Sequence, residues 1–167
     1  MNRPLLEVKN LTVQFRLKRG TLTAVDNVCF DIDEQETFGI VGETGCGKSA
    51  TALSILRLIA SPPGKTTGGE ILFEGDDLLK RSEHQMEKIR GHKISMIFQE
   101  PMTSFNPSFT IGEQIAESYR IHLRHSKKIA LESTEHILDA VRVHATEGEI
   151  VNTMAEVFGR YAEVAVL

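Results

Sequence analysis

Residues Gly42 to Ala50 read GETGCGKSA and follow the short apolar run Phe38-Gly39-Ile40-Val41. Gly42, Gly45 and Gly47 let the backbone turn tightly with its N–H groups pointing into one concavity, while Lys48 adds a point charge and Ser49 a hydroxyl suited to Mg²⁺. Glu43, Thr44 and Cys46 fill the wrap between the glycines. Behind the loop, SATALSILRLI (Ser49 to Ile59) carries Ala52, Leu53, Leu56 and Ile59 on one face, which predicts a helix with its positive end toward an anion. Strand, glycine loop and helix are the context that G-x-x-x-x-G-K-S requires, so the expectation is a nucleoside-triphosphate site rather than a structural glycine turn.

The 167 residues suffice for one core but not comfortably two. A net charge of −4 with scattered basic residues gives no electrostatic footprint for nucleic acid, which argues against that partner. The first residues, MNRPLLEVKN, lack a sustained apolar segment, and no run approaches the ~18 apolar residues of a membrane span. The expected location is cytoplasmic, unless a partner holds the chain at a membrane. The two cysteines, Cys29 and Cys46, form neither a disulfide framework nor a metal site. Cys29 alternates with core positions and reads as a small buried hydrophobe. Cys46 has two readings, a thiol facing the amides and lysine that would face a phosphate, or a residue that merely fits the turn. His84, His92, His122, His125, His136 and His144 lie in polar or helical surroundings and read as solvated, not as ligands.

Leu6 to Phe15 and Leu22 to Ile32 read as strands joined by a basic turn, RLKRG, so an antiparallel ribbon precedes the phosphate loop. SPPGKTTGG reads as a loop, Glu70 to Phe73 as a strand and Glu74-Gly75-Asp76 as a turn. Leu79 to Arg90 is charged enough for a surface helix, and Ile94 to Phe98 apolar enough for a buried strand ending at Gln99. A turn-rich loop follows, and then helices from Ile111 to Val143 broken near His122 to Ser126.

The segments LLEVKNLTVQF, AVDNVCFDI, GETGCGKSA, GGEILFEGDDLL, IRGHKISMIFQEPMTSFNP and IGEQIAE occur here in that order. Their order and spacing resemble those of the ATP-binding subunits of ABC transporters, closest to the importer branch for dipeptides, oligopeptides and nickel, over residues 5 to about 143. Gln35, where the family often has Gly, and Phe105, where Leu is common, are small departures. The resemblance implies an α/β, P-loop NTPase-type core with an N-terminal antiparallel β-ribbon and the start of a helical subdomain, a truncated ABC nucleotide-binding domain. Residues 1–110 would be the ATP-binding core, 111–143 the helical start and 144–167 a divergent tail. It further implies that Phe15 stacks on adenine with Val25 beside the base, though Phe15 also reads as an ordinary strand residue. Gly42 to Ser49 would wrap the phosphates of ATP, with Lys48 on the β and γ groups and Ser49 on Mg²⁺. Gln99 matches the glutamine that completes the metal shell and senses the membrane partner. The implied partners are permease subunits and a second ATP-binding subunit, which would place the assembled chain on the inner face of the cell membrane.

Hydrolysis in that family needs an apolar strand ending in Asp-Glu, a later switch His and an LSGGQ-like loop. None is legible here. His136-Ile137-Leu138-Asp139 comes nearest, but it lies in a helical pattern and is followed by Ala140. No catalytic residue is therefore assigned, and the expectation is ATP binding without turnover. The tail, HATEGEIVNTMAEVFGRYAEVAVL, departs from the family where the signature loop is due. It reads as a helix, with Thr146 and Glu149 as a capping box and Ile150, Met154, Val157, Phe158 and Tyr161 on one side. A competing expectation comes from the genetic code. Codons GTT TTC GGG CGG TAT GCG for Val157 to Ala162, read one base later, spell Phe-Ser-Gly-Gly-Met-Arg, so the tail would be a frameshift product. A second function class also fits, a binding-only regulatory protein acting on a permease or a full-length ATPase. The IFQEPMTSFNP segment argues against a P-loop kinase or GTPase that shares only the loop.

Overall fold

Along the first strand the apolar residues change parity, Leu6 and Val8 and then Leu11 and Val13, so a regular strand would turn one pair outward. In the computed structural model, which describes residues 3–98 and 105–142, all four are buried. A bulge absorbs the odd residue, with Asn10 at φ 50 and the ladder shifting register between Val8 and Leu11. Asn tolerates this left-handed conformation better than most residues. Gly69 lies against the bulge so closely that a β-carbon there would stand 2.4 Å from the Lys9 carbonyl oxygen.

Strand β1 (Leu6–Leu17) pairs antiparallel with β2 (Gly20–Ile32), as the hairpin reading expects, from Leu17 opposite Gly20 to Leu6 opposite Ile32. On its other side β1 pairs with β3 (Gly64–Phe73), and β3 with the two-residue β4 (Asp76–Asp77), giving the sheet order β2-β1-β3-β4. Strand β3 begins at Gly64, well before the expected Glu70. Its start, GKTTGG, has the composition of a loop, but the open edge of β1 supplies partners for Gly64 to Glu70, and pairing overrides composition. One face of this sheet buries Leu6, Val8, Leu11, Val13, Val25 and Ile71, each contributing about 1.5–3 kcal/mol of transfer free energy.

Helix α1 (Lys48–Ile55) ends earlier than its apolar pattern predicts. Arg57 takes the left-handed conformation at φ 53, and N–H bonds from Arg57 to Ser54 O (3.0 Å) and from Leu58 to Leu53 O (2.8 Å) close the helix. This is the glycine-type C-terminal motif with an arginine in the glycine position. The Arg57 guanidinium donates to the carbonyl oxygens of Leu78 and Arg81. The expected surface helix from Leu79 is a single turn at Leu78–Lys80 followed by the short α2 (Glu83–Glu87). Neither is a surface element throughout, since Leu78 and Met86 are fully buried.

The strand expected at Phe38 to Val41 is not formed. Phe38 instead stacks on Phe30 of β2, with centroids 5.0 Å apart, and Val41 is 92% exposed. The strand expected at Ile94 to Phe98 is also missing, apart from an isolated bridge between Arg90 and Ile94, and Ile97 is 78% exposed. A parallel strand makes no hydrogen bonds with itself and exists only between sheet neighbours. Neither segment has such neighbours among the described residues. Cys29 departs from its reading too. It is exposed, and its sulfur accepts the Asn10 N–H at 3.1 Å.

Residues 3–87 and 88–142 form two compact units. In the second, α3 (Ile111–His122) and α4 (Lys127–Arg142) are separated near His122 to Ser126, as expected. The Thr110 hydroxyl caps α3 by accepting the Glu113 N–H at 3.2 Å. Ala116, Tyr119 and Ala130 form a small buried cluster with Ile115, Leu123, Leu131 and Ile137 packed around it. His92, His122 and His125 are half-buried in ring stacks here, not solvated as their sequence surroundings suggest. His144 and the expected capping box at Thr146 and Glu149 lie outside the described residues.

Candidate functional site

At the first glycine of the loop, Gly42, a β-carbon would lie 2.5 Å from Cys46 Sγ across the turn, so a side chain there would displace the thiol. The turn is closed by the Cys46 N–H donating to Glu43 O at 3.2 Å. Gly45 and Gly47 both take positive φ, 86 and 98 degrees, and Gly47 delivers the chain directly into α1. Only glycine adopts such angles at little cost.

Helix α1 has no side-chain cap, since its cap residue is Gly47. The first N–H groups of a helix have no intrahelical partner, so without a cap they are available to an anion, and the helix dipole adds partial positive charge at the same place. The first intrahelical bond of the series runs from Thr51 N–H to Gly47 O at 2.8 Å, and the Thr51 hydroxyl donates to the same oxygen at 3.0 Å. Thr51 is a fixing residue that the motif alone does not mark. Its signal is a buried hydroxyl one helical turn after the cap glycine.

Lys48 is half-buried, and its ammonium is turned back over the loop. Nζ donates to Gly42 O at 2.6 Å and to Glu43 O at 3.0 Å, and stands 3.8 Å from Cys46 Sγ. The lysine thus bonds the loop's outer carbonyls and not the first amides of α1. Ser49 is exposed at the start of α1, beside those amides. Glu43, Thr44, Gly45 and Cys46 are exposed as well, so the whole wrap is open to a ligand.

Strand β2 sets the loop's position. A β-carbon on Gly47 would lie 2.3 Å from Ala24 O and 3.4 Å from Val25 Cγ2. Val25 is buried against the loop, while Ala24 cannot be singled out from the sequence, because a backbone carbonyl leaves no residue-type signal. Phe15 lies on β1 opposite Leu22 and Gly64. Its ring covers Gly64, with Cε1 2.8 Å from the site of a β-carbon there, and the residue keeps partial exposure. The structure therefore brings Val25 and residues 42–49 together and places Phe15 on the adjoining strand. Gln99 lies outside the described residues. Among the described residues no cluster of three His, Cys, Asp or Glu could hold a metal ion.

Comparison with known proteins adds an independent observation. The family model described as ABC transporter matches residues 25–159. The chain is 45% identical over 163 residues to the probable peptide ABC transporter ATP-binding protein y4tR of Sinorhizobium fredii, covering 98% of this chain and 49% of that one. It is 44% identical over 146 residues to the oligopeptide transport ATP-binding protein OppD of Bacillus subtilis, covering 87% and 41%. Identity to the dipeptide transport ATP-binding protein DppD of the same organism is 46% over 138 residues, covering 83% and 41%. The chain spans about half the length of the curated relatives it matches. Among solved structures, the dimeric post-hydrolysis state of the ATP-binding cassette MJ0796 bound to ADP and Pi superposes with a TM-score of 0.69 at 24% identity, covering 82% of this chain and 57% of that one. That likeness concerns the fold.

Proposed function

The chain belongs to the ABC transporter family, and from that premise we propose that it is the ATP-binding component of a peptide importer, gripping Mg-ATP with Gly42 to Ser49. The observation that carries this reading is the loop itself. Gly45 and Gly47 take positive φ, the helix starts uncapped, and Lys48 is held over the Gly42 and Glu43 carbonyls near the first amides of α1. Those amides would hold the α and β phosphates, and Lys48 would reach the β and γ groups. Ser49 would share the Mg²⁺, which supplies charge neutralisation between phosphates when bound. Val25 would flank the base and Phe15 would stack on it. Gln99 would complete the metal shell.

In the intact transporter the partners would be permease subunits and a second cassette, with ATP closing the pair and hydrolysis resetting it. Relatives named for peptide, oligopeptide and dipeptide transport support the peptide class, and the dimeric state of the MJ0796 cassette supports pairing. No helix among the described residues is long and apolar enough to cross a membrane, in keeping with a subunit held at the membrane by others. This chain alone would bind ATP without turnover, because its Asp-Glu pair, Asp33-Glu34, precedes the glycine loop and none follows it.

A fluorescent ATP analogue titrated with and without Mg²⁺, alongside a phosphate-release assay, tests the proposal. Saturable binding that Mg²⁺ strengthens and Lys48→Ala abolishes, with no phosphate release, is the expected result. Turnover that disappears in Lys48→Ala would overturn the statement about hydrolysis, and failure to bind any nucleotide would overturn the rest.

A further inference from the structure

In the second unit two imidazole rings, those of His92 and His122, face each other. The turn from Arg90 to Ile94 is closed by hydrogen bonds from the Gly91 N–H to Ile94 O (2.9 Å) and from the Lys93 and Ile94 N–H groups to Ile89 O (2.8 and 3.0 Å). Gly91 stands at φ 73, and His122, the last residue of α3, covers it with Nε2 3.2 Å from the site of a β-carbon. The His122 ring lies parallel to that of His92, with centroids 5.4 Å apart and planes 10 degrees apart.

Among the described residues no carboxylate pairs with either ring. The charged residues that flank them are cations, Arg90 and Lys93 on the turn and Arg120 and Arg124 around the end of α3. The remaining titratable neighbours are Tyr119 and His125, stacked on each other at 6.0 Å. The Nδ1 atoms of His92 and His125 are both buried and without hydrogen-bond partners.

We propose that His92 and His122 form a proton-sensitive clasp, which fastens the Arg90–Ile94 turn to the end of α3 while at most one ring is charged and releases it when both take a proton. Two imidazolium ions at this separation repel, and among the described residues no carboxylate pairs with either ring to offset them. Burial, and secondarily the charge of His92, hold the His122 pKa below the usual 6.5. The folded state therefore resists the second proton more than the unfolded chain does. The clasp's contribution is fully present above 6.5 and is lost as the pH falls through the lower folded value.

The test is an NMR titration of the full chain, following the histidine ring protons together with the exchange protection of the Gly91 amide. Two separated steps are expected for His92 and His122, the lower one below the ordinary histidine range, with Gly91 protection falling across that step. In His92→Phe, which keeps a ring without the charge, the His122 step should move up and Gly91 should stay protected at acid pH. Independent titration of both rings at an ordinary value, or Gly91 protection that ignores the lower step, would overturn the proposal. The wild-type titration decides this even if the variant does not fold.

Discussion

A β-carbon on Gly47 would stand 2.3 Å from the carbonyl oxygen of Ala24, so the phosphate loop is pressed onto β2 at its last glycine. The contact is with backbone and cannot yield by rotating a side chain. Gly47→Ala must therefore lift the loop from β2 as well as strain a residue at φ 98. The expected result is a loss of about 2–3 kcal/mol in stability, read from urea unfolding, and nucleotide binding weakened more than tenfold. Gly45→Ala is the control. Its φ is 86 but a β-carbon there meets nothing within 4 Å, so only the strain of about 1 kcal/mol is expected.

Lys48 separates binding from folding. Its two bonds to Gly42 O and Glu43 O lie in an exposed loop, so Lys48→Ala is expected to change stability by less than about 1 kcal/mol. Loss of its charge from the phosphates should weaken ATP at least tenfold, about 1.4 kcal/mol. Unfolding and nucleotide titration on the same variant check the pair. Equal losses in both would mean that the lysine acts only by holding the loop.

Much of the site is legible in the sequence because its chemistry is local. Glycines that need positive φ, a lysine and a hydroxyl at fixed spacing write the loop into the letters Gly42 to Ser49, and the structure places them as a turn feeding a helix. What places the loop is not local. Ala24 contributes a carbonyl that any residue has, and Thr51 a hydroxyl bonded to the carbonyl four residues back, as a threonine on any helix can be. The same division runs through the fold. The β1–β2 hairpin follows from a short basic turn, whereas the first half of β3 exists because β1 has an open edge, which composition cannot report. Apolar residues at Phe38 to Val41 and Ile94 to Phe98 signal a need for burial, but they do not say which strand would meet it. Arg57 ends α1 in a conformation normally left to glycine, offset by carbonyls that only the folded chain brings to its guanidinium.

Asp77 makes the first unit sensitive to acid. Burial resists its ionisation, but hydrogen bonds from Lys80 and the Leu79 N–H, together with the lysine's charge, win and hold its pKa below 3.8. A lowered folded value means that the contribution is present above 3.8 and lost as the pH falls through the folded pKa. Asp77→Ala removes the cap on the Leu78–Lys80 turn and is expected to cost about 1–2 kcal/mol at neutral pH. Asp77→Asn keeps an acceptor for Leu79 and should instead flatten the acid limb. Urea unfolding from about pH 7 down to about pH 2.5, a range that brackets the carboxylate titration, distinguishes them. An unchanged acid limb in Asp77→Asn would show that the group responsible lies elsewhere.

Substitution at Phe15 tests whether a base is recognised or only phosphates are held. Its ring covers Gly64, and its half-exposed position leaves part of that ring uncovered on the strand next to β2. Phe15→Leu keeps an apolar side chain over Gly64 and removes the flat face on which a base can stack. Aromatic stacking contributes about 1–3 kcal/mol per base, so ATP binding is expected to weaken about tenfold or more. Inorganic triphosphate has no base and should bind the variant as it binds the parent chain. Competition of both ligands against the same fluorescent nucleotide makes the comparison, and Phe15→Tyr, which keeps the ring, should restore ATP without changing triphosphate. Equal weakening of the two ligands would mean that residue 15 acts through the packing around Gly64 and Ile59 rather than by touching adenine.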